Sequence, residues 1–562
     1  MPSDDKPVLI LGGGINGAAL ARDLVLNKVP VILVDKYDLA SGSTAHSSRL
    51  IHGGLRYLEH AELKLVRESL AERERLLQLA PHLVCPLKLR IPIRSRGGGI
   101  FRTLAKFVGL NRRNRPSNRP RGLLLVRLGL WLYDLLATST TFPKHRCESR
   151  RPNDSEAIDR NRFPWLCHYH DAQMRFPERF VMAMLKEARD VSEQNQTAFE
   201  VLTYHDAQLR DGLVEIHCRQ SATPGITKQM RPSVVVNASG AWIDRTLSDF
   251  GNQDCCLVGG TKGSHVLTFR PELVEAVGDA GIYAEASDGR PVFLLPLGAG
   301  VLIGTTDLSS HGDPADVRAT EGEINYLLDL ANELFSNFQL KREDVVMHCS
   351  GVRPLPFVPG RANASVTRSH CLDVRTVEGV EVLSMIGGKL TTCRSFAEEV
   401  GDVVLDLLGR TRMESTATRV LQESCTREDF ENLFEQEFAG WASNANDASD
   451  RIKMAWGLLG TEAIRVWKNV SQLEAWDRCL HKTNIPQPLV VEIIRREWVT
   501  TLEDLVERRL MLPYGRHVTK TCIEESAALM VLEGKFAQDE AKKRIASCID
   551  NLKNRFGRKI EG

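Results

Sequence analysis

The sequence predicts an α/β fold: a Rossmann-like dinucleotide-binding domain, an inserted antiparallel-sheet substrate domain and a C-terminal all-helical domain. Three observations predict it. The apolar run Val8–Leu11 enters the glycine turn Gly12-Gly13-Gly14-Ile15-Asn16-Gly17, and a helix then leads to a second apolar run ending at Asp35. Short apolar strands separated by turn residues recur between about residues 198 and 304. Beyond about Arg410 the glycines thin out and apolar residues take helical spacing. A chain of 562 residues accommodates two or three cores. The dinucleotide domain is assigned residues 1–80, about 150–245 and 345–405; the substrate domain about 81–150 and 246–344; the helical domain 406–562.

In the first unit Gly12 permits the tight turn, Gly14 lets the backbone approach a pyrophosphate, and Gly17 lets the helix pack on the strand. The amides opening the helix Ile15–Asn27 turn its positive end toward phosphates. Asp35 is placed to accept hydrogen bonds from an adenosine ribose. This pattern reads as a dinucleotide site, with NAD and FAD both open at this point. The run Ile51–Tyr57 then sets His52, Arg56 and Tyr57 beside Gly53 and Gly54, and Leu63–Leu79 has helical spacing ending before Pro81.

Charge is balanced overall, 73 basic against 72 acidic residues, which argues against a polyanionic partner. Locally it is not. From Arg75 to Tyr133 there are thirteen Lys and Arg and no Asp or Glu. Arg102, Lys106, Arg112, Arg113, Arg115, Arg119, Arg121 and Arg127 mingle there with Phe101, Leu104, Phe107, Leu110 and Leu123–Val126. Such a stretch suits a surface resting on anionic lipid headgroups, or a solvated basic loop followed by a buried helix. No nucleic-acid-binding signature accompanies it, so no nucleic acid is expected. The run Gly122–Ala137, broken by Arg127 and Asp134, is too short to span a bilayer, and the polar start Met1–Lys6 does not read as a signal peptide. Thirteen cysteines, none in a CxxC pair and two adjacent at Cys255-Cys256, point to thiols in a reducing compartment rather than a disulfide scaffold. No metal-ligand spacing is visible, so no metal is expected. The expected location is cytosolic or peripheral.

Further along, Arg151–Arg162 reads as a surface connection, Ala172–Val191 as a helix, and Ala198–Tyr204 with Leu213–Cys218 as a pair of strands. Val234–Val236 is a buried strand entering Asn237–Gly240, just before Trp242. Ile282–Ala284, Val292–Leu295 and Val301–Gly304 read as sheet strands. Val380–Met385 is a strand entering Gly387-Gly388, with a helix from about Lys389 to Leu408. Trp456–Trp467, Val490–Trp498, Thr501–Leu512 and Lys520–Leu532 carry amphipathic helical spacing.

Glycine-bearing strand ends thus occur at Gly12–Gly17, Asn237–Gly240 and Gly387-Gly388. A cofactor gripped from three parts of the chain suits FAD better than NAD, and Lys389 with the helix-end amides can face negative charge on a reduced flavin. Cations stand near glycines or strand ends at Arg56, Lys262, Arg353, Arg368 and Lys389, with His265 and Asp307 in the same set. Buried cations need neutralising, by a phosphorylated substrate or by local carboxylates.

The runs Gly12–Gly17, Ser47–His60, Val236–Trp242, Lys262–His265, Ile303–Asp307, Ser350–Leu355 and Gly387–Thr392 resemble those of FAD-dependent, quinone-linked glycerol-3-phosphate dehydrogenases, in that family's order. The resemblance extends to about Arg394 and continues weakly through Arg496-Glu497-Trp498 and Thr501–Arg509. It implies that FAD is held by Gly12, Gly14, Asn16, Gly17, Asp35, Ser47, Ser48, Gly240, Trp242, Gly388, Leu390 and Thr391. It also implies oxidation of sn-glycerol 3-phosphate to dihydroxyacetone phosphate, with electrons passed to membrane quinone at the cytoplasmic face of the membrane. In this scheme His52 is the candidate base, as an imidazole that titrates near ~6.5 when unperturbed. Arg353 and Lys389 stabilise the developing alkoxide and the reduced flavin; Arg56, Tyr57, Lys262 and Arg368 bind phosphate. The candidate partners are the substrate, quinone, an anionic lipid surface and a second copy of the chain in a homodimer. The alternatives are an oxygen-using glycerol-3-phosphate oxidase, or a related flavin amine or hydroxy-acid oxidase. Three departures stand out: Asp35 where glutamate is common, Cys393 where tyrosine is frequent, and a long Leu110–Gly122 segment.

Overall fold

Six strands form the sheet that carries the glycine turn: β1 (Val8–Leu11), β2 (Val31–Asp35), β3 (Phe199–Thr203), β4 (Val235–Asn237), β5 (Cys371–Val377) and β6 (Val380–Ile386). Their order is β5-β6-β4-β1-β2-β3, and every neighbouring pair is parallel except β5 with β6. The computed structural model describes residues 6–562 except 61, 98–120, 138–140, 152–156, 221–224, 252–255, 287–288, 311, 359–367, 439–447 and 470–477. Val8, Leu9 and Ile10 are fully buried, because helices cover one face of the sheet while Leu209, Val214 and Ile216 of a small three-stranded sheet, with the short helix Ile243–Asp249, cover the other, and this leaves no place for alternation. The helices α1 (Ile15–Leu26), α2 (Leu63–Leu79), α3 (Leu123–Leu136), α4 (Pro177–Asn195) and α5 (Cys393–Leu407) follow in the chain, and α1 packs against α4 and α5. Leu11 pairs with Val34 and Asn237, and Asn237 with Ser384, so the strand ends lie level. Ligands of open α/β sheets bind in the crevice outside such carboxyl ends.

The second sheet has ten strands, most of them antiparallel. From one edge it runs through 308–309, 258–268, 300–304, 291–297, 281–285, 84–93, 165–174 and 50–51, with 345–356 and 146–149 paired alongside. It therefore reaches beyond segments 81–150 and 246–344, drawing in Leu50–Ile51, Trp165–Met174 and Val345–Pro356. Strand Val258–Thr268 aligns with Val345–Pro356 over almost its whole length, which brings Lys262, His265 and Arg353 into one region.

Several expected elements shift. Ala172–Met174 belongs to a strand, and the helix expected over Ala172–Val191 starts at Pro177, whose missing N–H suits a first helical turn. Phe199–Thr203 does not pair with Leu213–Cys218; it extends the parallel sheet beside β2, while Leu213–Cys218 joins a three-stranded sheet with His205–Arg210 and Ile226–Met230. The helix expected from Lys389 begins at Cys393, after Gly387 and Gly388 adopt φ of +78° and +87°. The stretch Trp456–Trp467 is two helices, Ala448–Leu459 and Glu462–Asn469, meeting at Gly460. Thr501–Leu512 holds a π-helical turn, Asp504–Arg509. Cys147 and Cys167 face each other across neighbouring strands and form a disulfide, so the thiol expectation does not hold for this pair.

The C-terminal helices share a core of Phe430, Phe434, Trp467, Leu489, Ile493, Met530 and Leu552 that also takes in Leu267, Leu302 and Met347 from the second sheet. The helical block is therefore fixed to the sheet by common apolar burial. Buried ion pairs tie the block to α4 as well, with Arg179 gripping Glu497 and Lys186 facing Glu462 and Glu423.

Candidate active site

A cavity of about 760 Å³ lies along the carboxyl ends of β1, β2, β4 and β6. Its lining includes Gly12, Gly14, Asn16, Asp35, Ser47, Ser48, His52, Tyr57, Gly240, Trp242, Arg353, Arg368, Gly388, Lys389, Leu390 and Thr391, so the structure brings together most of the residues singled out in the sequence. Gly17 sits one layer back. A Cβ there would lie 1.9 Å from the Gly12 carbonyl oxygen, so only glycine lets α1 close on the turn. The Asp35 carboxylate accepts hydrogen bonds from the Gly13 and Tyr37 amides at 2.6 and 2.8 Å. Burial nevertheless pushes its pKa up to about 6. Thr44, which no sequence signal marked, accepts from the Ile15 amide at 3.1 Å and so meets the first turn of α1. Asn16 ties the two distant glycine turns together by donating to the Gly387 carbonyl at 3.2 Å. A Cβ on Gly388 would approach the Asn16 side chain to 2.8 Å. Trp242 donates from Nε1 to Asp313 at 3.1 Å, with the Lys36 ammonium 4.9 Å from its ring.

The polar cluster surrounds Tyr57. Lys389 Nζ lies 3.9 Å from the centroid of the Tyr57 ring, and the His52 ring centroid is 6.3 Å from that of Tyr57. Lys389 Nζ is buried with no hydrogen-bond partner among the described residues, and burial lowers its pKa to about 7. Arg353 donates to Asp307 Oδ1 at 3.0 Å and to Thr305 Oγ1 at 2.8 Å, while Arg368 approaches the other Asp307 oxygen at 3.6 Å. Two guanidiniums thus share one carboxylate. Burial lowers the Arg353 pKa, with Arg368 adding to the effect and Asp307 opposing it.

His52 is positioned through its backbone. Its amide donates to Thr391 Oγ1 at 3.1 Å, and the next amide, Gly53, donates to the Tyr133 hydroxyl at 2.8 Å. Tyr133 in turn donates to Asp171 at 2.6 Å, and Asp171 pairs with Arg73 at 2.9 Å. The imidazole does not keep the near-neutral pKa assumed from sequence. Desolvation, with Lys389 and Arg73 nearby, lowers it to about 3, so free His52 is a neutral acceptor. His265 is also buried and neutral, with Nε2 2.9 Å from the Ser48 hydroxyl.

Two expected phosphate ligands lie elsewhere. Lys262 is spent on Glu323 at 2.6 Å and on the Arg318 carbonyl, and does not line the cavity. Arg56 is likewise outside the lining, close enough to Tyr57 to influence its titration. Of the basic run, residues 98–120, including Arg102, Lys106, Arg112, Arg113, Arg115 and Arg119, lie outside the described residues, as does Cys255. Arg121 pairs with Glu285 at 2.8 Å. Among the described residues no group of three or more His, Cys, Asp or Glu could hold a metal ion, and no helix is long and apolar enough to cross a membrane.

Residues 7–393 match the family described as FAD dependent oxidoreductase. The chain belongs to this family. The FAD dependent oxidoreductases that it resembles include a glycerol-3-phosphate dehydrogenase of Synechocystis, 36% identical over 72% of this chain and 70% of the relative. A glycerol-3-phosphate dehydrogenase of Pseudomonas aeruginosa is 31% identical over 90% and 91% of the two chains. A D-erythritol 1-phosphate dehydrogenase of Brucella abortus is 35% identical over 70% and 72%. Among solved structures, glycerol-3-phosphate dehydrogenase from Bacillus halodurans complexed with FAD shares the fold, with a TM-score of 0.70 over 98% of this chain and 95% of that one at 20% identity. FAD, the cofactor of the family, fits the residues present. The crevice offers the buried Asp35 carboxylate at the end of β2, a helix start closed by glycine packing, and unsatisfied buried polar atoms that include Asn16 Oδ1 and Lys389 Nζ.

Proposed function

We propose that the chain oxidises sn-glycerol 3-phosphate at its secondary alcohol to dihydroxyacetone phosphate. The observation that carries this reading is the sharing of Asp307 by Arg353 and Arg368, beside the unpartnered Lys389. Two guanidiniums against one carboxylate hold a surplus of positive charge beside Lys389, and a phosphate dianion neutralises it. Arg368 and Tyr57 bind the phosphate. Arg56 flanks Tyr57, and Lys262 serves indirectly by fixing Glu323. Bound FAD supplies the acceptor for the two electrons. His52, neutral and held through its amide by Thr391 and through the next amide by Tyr133, accepts the hydroxyl proton on its imidazole nitrogen. Arg353 and Lys389 face the oxygen as its negative charge develops. Gly12, Gly14, Asn16, Asp35, Ser47, Ser48, Gly240, Trp242, Gly388, Leu390 and Thr391 hold the cofactor, with Gly17 supporting the turn.

The acceptor beyond FAD is read as membrane quinone. Leu124, Leu128, Trp131 and Leu135 stand 56–65% exposed along one face of α3. Their i, i+4, i+7, i+11 spacing makes a continuous apolar stripe, which supports seating on lipid at the inner face of the membrane. Incubation with sn-glycerol 3-phosphate and a soluble quinone analogue tests the reaction. The expected result is dihydroxyacetone phosphate in equal amount to quinol. Peroxide formed in air with no quinol would establish an oxidase instead, and absence of the ketone would refute the substrate.

A further inference from the structure

The family match stops at residue 393, yet the helical block beyond it grips the cofactor loop at three points. The first is Asp38, fully buried three residues after the ribose-facing Asp35. Arg509 Nη1 and Nη2 donate to its two oxygens at 2.8 and 2.7 Å, and Arg508 Nε donates at 2.5 Å. Both arginines sit on the π-helical turn Asp504–Arg509. Neighbouring residues of an α-helix point about 100° apart, whereas here both side chains converge on one carboxylate. Each is fixed from its own side, Arg509 by the Glu497 carbonyl at 2.9 Å and Arg508 by Asp504 at 2.9 Å.

The second point is Tyr514, whose ring centroid lies 4.3 Å from the Arg49 guanidinium and whose hydroxyl donates to the Ala45 carbonyl at 3.5 Å. The third is Phe556, 6.0 Å from the His46 ring. Between Asp38 and Arg49 the chain forms turns with no helix or strand, and residues 41–44 and 46–49 line the cofactor cavity. Neither Arg509, Tyr514 nor Phe556 lines it.

We propose that the C-terminal helical domain is a cofactor-retention clasp: through Arg508, Arg509 and Tyr514 it holds the 38–49 loop in the geometry that binds FAD. A loop made of turns must otherwise be ordered by the cofactor itself, at the expense of affinity. These arginines are positioning residues, since they act through the loop. The inference rests on FAD occupying the cavity.

Arg509→Lys tests it, because lysine keeps the charge but does not span both oxygens. The FAD dissociation constant, followed by the fluorescence of released flavin, is expected to rise about tenfold. Asp38→Asn, which also loosens Arg508, should raise it at least as much, and the double variant no further than Asp38→Asn alone, because the Arg509 contact is already lost there. In the wild-type apoprotein, FAD should slow amide hydrogen exchange over residues 504–514, since coupling between two sites is reciprocal. FAD affinity within twofold of wild type in Arg509→Lys would overturn the clasp, as would exchange at 504–514 indifferent to FAD. If a variant does not fold, the wild-type exchange decides. A wild-type chain that takes up no FAD overturns the cofactor assignment together with the clasp, whereas normal uptake without coupling overturns the clasp alone.

Discussion

The Lys389 ammonium lies 3.9 Å from the centroid of the Tyr57 ring, and no described residue offers it a hydrogen bond. A cation so placed is held by the ring quadrupole and by the field of the Glu62 and Glu68 carboxylates. Its pKa therefore falls from 10.5 to about 7, chiefly through burial. Below about pH 7 it is charged and attracts a phosphorylated substrate; above that it is neutral in the free protein. The expected kcat/KM falls as pH rises through about 7, and the inflection moves higher in kcat, because a bound anion restores the proton. Lys389→Arg should abolish the inflection.

The same shift has a stability sign. Between about pH 7 and 10.5 the unfolded chain holds this proton and the folded chain does not, so this group makes apoprotein stability rise with pH across that window. Thermal unfolding of the apoprotein at pH 7 and 9, with Lys389→Met as reference, checks the sign. The wild type should gain more on going to pH 9 than the variant does.

Arg353 and Arg368 divide Asp307 between them. Arg368→Ala should raise KM for the phosphorylated alcohol by about 10- to 150-fold, the worth of a charged hydrogen bond at about 1.5–3 kcal/mol. Turnover of unphosphorylated glycerol should change little. Equal losses on both substrates would contradict a phosphate contact.

His52 illustrates what a sequence conveys and what it withholds. Its position beside Gly53 and Gly54 marked it as functional, and the structure sets it in the cavity wall. Its titration was not legible, because the pKa of about 3 comes from burial, Lys389 and Arg73, groups that only the fold assembles. No inflection near pH 6.5 should come from His52 in the free enzyme, and His52→Ala should lower the rate of flavin reduction by about 10²- to 10⁴-fold.

The same division runs through the molecule. The strand, glycine turn and carboxylate at Val8–Asp35 follow from local rules, so β1, α1 and β2 could be read directly. Lys262 looked like a phosphate ligand until the fold set Glu323 against it, 61 residues on. Thr44 and Asp38 carry no motif, and their roles depend on a helix start and on arginines 470 residues away. The disulfide Cys147–Cys167 joins residues 20 apart whose register is set by strand pairing rather than by a cysteine motif.

Tyr133 connects α3 to the His52–Gly53 loop by bridging the Gly53 amide and Asp171. Tyr133→Phe leaves the Arg73–Asp171 pair intact but removes the hydroxyl from between Asp171 and the Gly53 amide, which keeps only its longer bond to Asp171 at 3.4 Å, at a cost of about 1–3 kcal/mol. The rate of flavin reduction should drop about tenfold with KM nearly unchanged. A lower unfolding temperature with a normal rate would give Tyr133 a purely structural role.

The exposed stripe on α3 predicts a separable phenotype. Leu128→Glu with Trp131→Glu should abolish sedimentation with phosphatidylglycerol-containing vesicles while leaving flavin reduction in solution unchanged, because both side chains are more than half exposed. Undiminished sedimentation would move the lipid contact elsewhere.

The most direct test of the substrate assignment is the anaerobic absorbance of the FAD-loaded protein mixed with sn-glycerol 3-phosphate or with glycerol. The structure predicts rapid, complete bleaching of the flavin band by the phosphorylated alcohol at concentrations where glycerol leaves it unchanged. Equal bleaching by both, or by neither, would contradict it.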